Sequence, residues 1–175
     1  MIVFGFEAGR HAAFYARKNT KISDPFSEEL AQEKEKIYCY AETKKDPISF
    51  TELKRRLQGV MDRDVFVFRD KDGLERAIQE IREIKKDISS VNVPVFKRYN
   101  LGWIRAVEFS LMVEGAEIIA SSALYREESR GFHYRNDFPK RDDKNWLKHT
   151  VTRFREERLE HDTAPVVLNR MKPEV

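Results

Sequence analysis

The stretch that decides the fold is Leu74-Glu-Arg-Ala-Ile-Gln-Glu-Ile-Arg-Glu-Ile-Lys-Lys-Asp-Ile88. Its apolar residues recur every three or four positions, which places them along one narrow face of an α-helix. Charged residues such as Glu83 and Lys86 occupy the other positions. Because a seam of this kind buries its apolar side chains against neighbouring helices, the stretch predicts a helical bundle.

Two flanking segments provide partners for this helix. Ser49 and Glu52 have the spacing of a capping box, and the helix that they open carries its apolar residues on one face. A longer run over about 98–126 is apolar enough to form the most buried helix of the molecule. Three such helices enclose one core, so we predict a mainly α fold built on an antiparallel, spectrin-repeat-like three-helix bundle.

Two more helical segments precede the bundle. Residues 2–16 are apolar and begin without a polar cap. Residues 28–43 form a charged helix behind Asp24 and Pro25, which supply a cap and a first-turn proline. The first segment therefore has the character of a helix that belongs to something longer.

The composition excludes several classes of protein. The chain has 175 residues, with 33 Lys and Arg against 30 Asp and Glu, and these charges alternate too closely to attract nucleic acid. A single cysteine, Cys39, makes neither an internal disulfide nor a thiolate metal site. The seven glycines form no phosphate-binding loop, and no apolar run is long enough to span a membrane. We expect a cytoplasmic chain that does not insert into the membrane.

The pattern and composition of the sequence change after Arg126. The next twenty residues have no helical or strand period but are crowded with aromatic, His, Arg and Asp residues. Beyond them, 150–154 and 159–163 could pair as a short β-hairpin, although a helix over 153–160 is equally compatible with the propensities. We predict an irregular C-terminal arm, residues 128–175, with the hairpin and the helix as open alternatives for its second half.

The arm contains the residues that come nearest to an active site. His133 stands beside Arg135 and Asp137, and a carboxylate can orient an imidazole for acid–base catalysis. A histidine among arginines and aspartates in a loop is more typical of a hydrogen-bonded docking surface. The four histidines also lack the spacing that would direct two of them at one metal. We therefore predict no catalytic, cofactor-binding or metal site in this chain.

The same segment carries a family resemblance. The stretch Glu128-Ser-Arg-Gly-Phe-His-Tyr-Arg-Asn-Asp-Phe-Pro-Lys-Arg-Asp-Asp-Lys-Asn-Trp146 closely resembles the C-terminal region of succinate dehydrogenase and fumarate reductase flavoprotein subunits. Leu57 to Met61, Phe68 to Ile81 and Ile2 to Ala16 also resemble this family, so the likeness covers nearly the whole chain. Aspartate oxidase and adenylylsulfate reductase are more distant relatives of the same architecture.

The resemblance implies how the chain is organised. Residues 1–20 would be a remnant of the last helix of the flavin domain, residues 21–127 the bundle, and residues 128–175 the arm. The family's flavin-binding and substrate-binding motifs would all precede Met1, which suggests a split gene, a truncated reading frame or a deliberately isolated domain. The cofactor would be FAD in the complete flavoprotein, with none bound by this chain.

The resemblance also implies partners and a function. The chain would be a structural and docking part of an FAD-dependent oxidoreductase that interconverts succinate and fumarate, inactive alone. It would pack against the flavin-binding domain, lie near the iron–sulfur subunit and reach the membrane only through partner subunits, and its apolar first helix could support a homodimer. The alternatives are an independent protein- or nucleic-acid-binding module, a small enzyme using His133 and Asp137, and a fragment of an aspartate oxidase or adenylylsulfate reductase.

Within the arm we predict a preformed docking surface in which paired Arg and Asp groups satisfy each other's charges. Since these residues lie outside the periodic seams, we expect the bundle to survive charge reversal in the arm. The predicted interface residues are Arg130, His133, Arg135, Asp137, Arg141, Asp142, Asp143 and Trp146.

Overall fold

The computed structural model describes residues 2–19, 27–41, 47–91, 93–94, 96, 98–155 and 158–168. The chain divides into two compact units, Met1–Ile37 and Tyr38–Val175. The predicted cap formed by Asp24 and Pro25 lies outside the described residues. The sequence-based boundaries at residues 20 and 127 remain predictions.

The first unit contains a helix, α1 (Ile2–Lys18), and most of a second, α2 (Ser27–Tyr38). A short 3-10 turn over Cys39–Ala41 follows α2. Phe4 and Phe6 of α1 are 82% and 67% exposed, although both are large and apolar. The apolar character that distinguishes α1 in the sequence is therefore present on its surface.

The second unit is built on three helices, α3 (Phe50–Val60), α4 (Lys71–Asp87) and α5 (Leu101–Tyr125). A π-helical turn over Met61–Val65 follows α3, and strand β1 (Phe68–Arg69) precedes α4. These elements account for the apolar run before Asp70, which periodicity alone does not assign.

The core lies where the three helices meet. Leu74, Ile81 and Ile84 of α4 are completely buried, as are Leu53 of α3 and Val113 of α5. The seam that decides the fold is thus the centre of the core, and its close packing accounts for the stability of the bundle.

Contacts between helix ends fix the directions of the helices. Ile48, just before α3, pairs with Val91, just after α4, so these two helices are antiparallel. Arg82 of α4 contacts Glu117 of α5, while Lys71 and the end of α5 are joined through one ion pair of the arm. The antiparallel three-helix bundle is confirmed.

The predicted capping box is wrong in its side-chain bonds. Ser49 is the N-cap residue of α3, but only its backbone carbonyl bonds the first turn, accepting from the backbone N–H of Glu52 at 3.1 Å. The Glu52 carboxylate turns instead to Arg55, at 2.6 Å. A side-chain cap is formed at α4, where Asp70 Oδ1 accepts from the Gly73 N–H at 2.8 Å.

The arm combines short regular elements with tight turns. Strand β2 (Tyr134–Arg135) pairs in parallel with β1, and a one-turn helix, α6, covers Asp143–Trp146. Strands β3 (Lys148–Arg155) and β4 (Arg158–Pro165) form an antiparallel hairpin. The hairpin is therefore the correct alternative, and the helix over 153–160 is wrong.

None of the described helices is both long enough and apolar enough to cross a membrane.

Candidate docking site

Glu128 is the centre of the first half of the arm. Its side chain is completely buried and accepts hydrogen bonds from Arg126 Nε at 2.9 Å and Arg130 Nε at 2.8 Å. The backbone N–H of Asp142 donates to the same carboxylate at 3.0 Å. Burial alone would raise the pKa of Glu128, but these bonds outweigh it and hold the pKa below its ordinary value. Glu128 is therefore a charged carboxylate that ties together three parts of the chain.

Arg135 connects the arm to the end of α5. Its side chain is only 1% exposed. One terminal nitrogen, Nη1, donates to the backbone carbonyls of Ala123 and Leu124 at 2.9 and 3.0 Å, and to that of Arg126 at 3.2 Å. Carbonyls in the last turn of a helix have no partner within the helix and carry its negative dipole end. A buried guanidinium at this point donates hydrogen bonds to these carbonyls, and its positive charge interacts favourably with the negative dipole end.

Asp137 balances Arg135 and reaches a second helix end. The two side chains form a bidentate pair, from Nε to Oδ1 at 2.8 Å and from Nη2 to Oδ2 at 2.6 Å. Asp137 Oδ2 also accepts from the backbone N–H of Lys71, the first residue of α4, at 3.2 Å. The bonds from Arg135 are the main cause that lowers the pKa of Asp137. One ion pair therefore links the C-terminus of α5 to the N-terminus of α4.

His133 is held between a donor and an acceptor. Arg69 Nη1 lies 3.0 Å from His133 Nδ1, and because a guanidinium can only donate, Nδ1 must accept. The ring proton is then on Nε2, which donates to the backbone carbonyl of Arg126 at 3.1 Å. Burial, together with the neighbouring arginine charges, lowers the pKa of His133. His133 is a neutral imidazole with both ring nitrogens engaged.

These contacts show that His133 and Asp137 do not form the acid–base pair that the sequence allows. Within the described part of the chain, Asp137 bonds to Arg135 and Lys71 and does not orient His133. His133 in turn contacts Arg69 and Arg126. The side chains that resemble catalytic groups therefore hold the arm together.

The distal half of the arm is more open. Arg130 Nη2 donates to Asp143 Oδ1 at 2.5 Å, and Arg141 Nε donates to the same oxygen at 2.8 Å. Asp142 caps α6 by accepting from the Asn145 backbone N–H at 3.0 Å. Arg141 is exposed, whereas Asp142 and Asp143 are partly covered. This half presents charged groups to solvent in fixed positions.

Trp146 closes the arm against the end of α5. The Arg126 guanidinium stacks over the Trp146 ring at 5.4 Å, and Tyr125 meets the same ring edge to face at 5.7 Å. Arg126 Nη2 also donates to the Trp146 backbone carbonyl at 2.6 Å. Trp146 is thus half-buried. One part of the residue fastens the arm to the end of α5, and the other part belongs to the surface of the arm.

The eight predicted interface residues are brought together in one connected network, but with different exposure. Arg135 faces inward, whereas Arg141 faces solvent. The sequence-based interface missed Arg69 and Arg126, which hold His133 and Glu128. Arg126 immediately precedes the family-like segment, so its proximity was a usable signal; Arg69 lies 64 residues from His133 and offered none. No group of three or more potential metal ligands occurs among the described residues.

Comparison with known proteins identifies what the chain is similar to. A family model described as fumarate reductase flavoprotein C-term matches residues 54–175. The fumarate reductase flavoprotein subunit of Mycobacterium tuberculosis is 33% identical over 180 residues, which cover 99% of this chain and 31% of that protein. The succinate dehydrogenase flavoprotein subunit of Rickettsia bellii is 29% identical over 177 residues, which cover 100% and 30%.

A solved structure agrees at the level of the fold. The FrdA chain of an E. coli quinol fumarate reductase variant superposes with a TM-score of 0.86 at 22% identity, covering 99% of this chain and 30% of FrdA. The chain thus spans about 30% of the length of the relatives that it matches.

Proposed function

Because this chain belongs to the C-terminal family of fumarate reductase flavoproteins, we propose that it is the structural and subunit-docking domain of an FAD-dependent oxidoreductase that interconverts succinate and fumarate. It is not catalytic alone in this proposal. The flavin and the reacting dicarboxylate are held by other parts of the enzyme.

One observation carries the proposal: the arm uses its chemically active side chains for its own structure. Both ring nitrogens of His133 are engaged, and Asp137 is paired with Arg135 and with the start of α4. A site that moved protons would need one of these groups free to meet a substrate. A docking domain instead needs a rigid surface, and buried ion pairs with complete hydrogen bonding supply rigidity.

The partners follow from the same proposal. The flavin-binding domain of the same flavoprotein would pack against this domain, and the iron–sulfur subunit would lie near it. The exposed aromatic and aliphatic side chains of α1, including Phe4 and Phe6, suit burial against another protein surface or a second copy of the chain. We propose that the assembled enzyme works in the cytoplasm and meets the membrane through its partner subunits.

The experiment that tests the proposal is reconstitution. The purified chain is mixed with the flavin-binding region encoded by the same genome, and binding and flavin content are measured. We expect the chain alone to bind no flavin and to bind the flavin-containing region instead. Yellow protein obtained from the chain alone, or no association at all, would contradict the proposal.

Charge reversal locates the docking surface. Asp137→Lys and Asp142→Lys should weaken the association by about 1–3 kcal/mol if the affected pairs are desolvated in the complex. Glu33→Lys is the matched control, because Glu33 lies on the exposed surface of α2 and pairs only with Lys36 among described residues. Circular dichroism of each variant separates loss of docking from loss of fold. Equal binding by all three variants would rule out the charged pairs of the arm as the docking surface.

A further inference from the structure

An exposed group of aromatic rings lies where the arm meets β1. Phe68 and Tyr134 are opposite each other in the parallel pairing of β1 and β2, with ring centroids 5.5 Å apart. Two residues before each of them stands another exposed ring, Phe66 and Phe132. The four residues, which we call the aromatic platform, are 68% (Phe66), 69% (Phe68), 91% (Phe132) and 36% (Tyr134) exposed. Large apolar groups gathered on a surface are typical of an interaction site.

Backbone hydrogen bonds fix the chain segments that carry the platform. Arg130 and His133 exchange two backbone hydrogen bonds, of 2.8 and 3.0 Å, around a two-residue turn that presents Phe132. Gly131 has φ of +58° in this turn, a backbone conformation that side chains other than glycine rarely adopt. The Asn136 N–H donates to the Arg69 carbonyl at 2.8 Å and continues the pairing of the two strands. Little backbone entropy therefore remains to be lost when a partner binds.

Arg69 gives the platform a charge that the described residues do not balance. Its two terminal nitrogens bond to uncharged acceptors, the Phe66 carbonyl and His133 Nδ1. The buried Nε atom has no hydrogen-bond partner at all in the described structure. The arm arginines differ in this respect, because Arg130 and Arg135 each face a carboxylate. A partly buried guanidinium without a carboxylate attracts one from outside the chain.

We propose that the aromatic platform and Arg69 together form the docking surface for the flavin-binding region, which contributes an apolar patch with a carboxylate directed at Arg69. This inference rests on the proposed function and names one surface within it. Two observations favour this occupant over others. The relatives have more than twice as much further sequence as this chain covers, so the same subunit offers a large additional surface for docking. The positive charge of Arg69 is also best compensated by a carboxylate that is held in a fixed position. A folded domain presents carboxylates in fixed positions.

The test uses the complete 175-residue chain and the flavin-binding region encoded by the same genome. Phe132→Ala and Phe68→Ala should each weaken binding at least about tenfold, as truncation of a central aromatic anchor does. Because Phe132 is almost fully exposed, its removal leaves the fold intact, and thermal unfolding should confirm this. Phe154→Ala is the matched control, since Phe154 is similarly exposed at 64% but lies on β3; its binding should equal that of the wild type.

Arg69 is tested by the dependence of binding on salt. Binding of the wild-type chain should weaken as salt rises, Arg69→Gln should flatten that dependence, and Arg69→Lys should preserve it. If the wild-type chain binds and neither Phe132→Ala nor Phe68→Ala weakens binding, the platform is not the docking surface. The proposed function would still stand in that case. If these variants impair only self-association or binding of an iron–sulfur subunit, the named occupant is wrong. If the wild-type chain does not bind, the proposed function fails and the inference fails with it.

Discussion

Ile81 in the bundle and Arg135 in the arm are both almost completely buried, at 0% and 1% exposure, but opposite kinds of contact hold them. Ile81 belongs to a periodic seam, where any apolar side chain of similar volume would serve. Arg135 is held by a bidentate carboxylate and three backbone carbonyls at the end of α5, which only a guanidinium can satisfy together.

The difference shows how a short segment outside the periodic helices can be held as firmly as a helix core. Apolar contacts in the bundle are many and individually replaceable. The polar contacts of the arm are few and directional, and each one depends on its partner. We therefore expect single substitutions in the arm to act through charge and geometry, whereas substitutions in the bundle act through volume.

The largest expected effect is the loss of Arg135. Arg135→Met should lower the free energy of unfolding by about 3 kcal/mol, because it removes the donors to α5 and leaves Asp137 without its main partner. Ile81→Ala should cost a comparable amount, about 2–5 kcal/mol, through a cavity. Urea unfolding measures both. Arg105→Met, at an exposed position of α5, is the control and should change little.

This prediction differs from the sequence-based expectation that the bundle survives charge reversal in the arm. Arg135 and Asp137 do lie outside the periodic seams, but they bind the end of α5 and the start of α4. A stability of Arg135→Met equal to that of the wild type would restore the view of the arm as an independent attachment.

A second prediction concerns acid. Since the pKa of Glu128 is lower in the folded chain than its ordinary value of 4.5, the folded state binds fewer protons than the unfolded state in this range. The stabilisation is complete above about pH 4.5 and is lost as the pH falls through the lower, folded value. Glu128→Gln should cost about 2–3 kcal/mol at neutral pH and flatten this part of the stability curve. An unchanged acid profile in Glu128→Gln would show that other carboxylates control it.

The helix caps give a smaller effect. Asp70→Ala should destabilise the chain by about 1 kcal/mol, because the Asp70 carboxylate accepts from the first turn of α4. Ser49→Ala should cost much less, since the Ser49 side chain makes no capping bond. Thermal unfolding of the two variants checks the difference. Equal losses would mean that the capping box predicted from the sequence forms in solution.

The smallest expected effect is a pH dependence from His133. Its folded pKa is below the ordinary value of 6.5, so the contribution is fully present above that value and is lost as the pH falls toward the folded pKa. His133→Gln should remove this dependence, because an amide can accept from Arg69 and donate to Arg126 without titrating. His161→Gln is the matched control, since burial lowers the pKa of His161 in the hairpin as well. NMR of the His133 ring should show the neutral Nε2–H form at pH 7, above the ordinary pKa.

The sequence predicts the bundle well because periodicity states which face of each helix is buried. Leu74 and Ile81 are identified from spacing alone, and both are in the core. The sequence does not decide between a hairpin and a helix, because 150–163 has neither a strict alternation nor a helical seam. Its identity is settled by pairing between strands, such as Thr152 with His161.

The site is harder to predict, since its contacts are not local. The family-like segment marks the arm, but neither spacing nor composition indicates that Arg135 turns inward to α5 or that Arg69 meets His133 across 64 residues. The motif includes Glu128 but does not indicate that Glu128 is the buried centre of the network. Hydrogen-bond partners of this kind depend on the folded backbone, which the sequence pattern does not specify.

Native-state hydrogen exchange tests the central claim, that the arm is a preformed part of the folded domain, most directly. The backbone N–H groups of Ser129, Arg130 and His133 all donate to carbonyls within the arm, and their protection can be compared with that of 106–120 in α5. We predict that these arm amides exchange by the same cooperative opening as α5, while the exposed α1 exchanges much faster. Arm amides that exchange as fast as those of α1, in a chain whose α5 stays protected, would contradict the account.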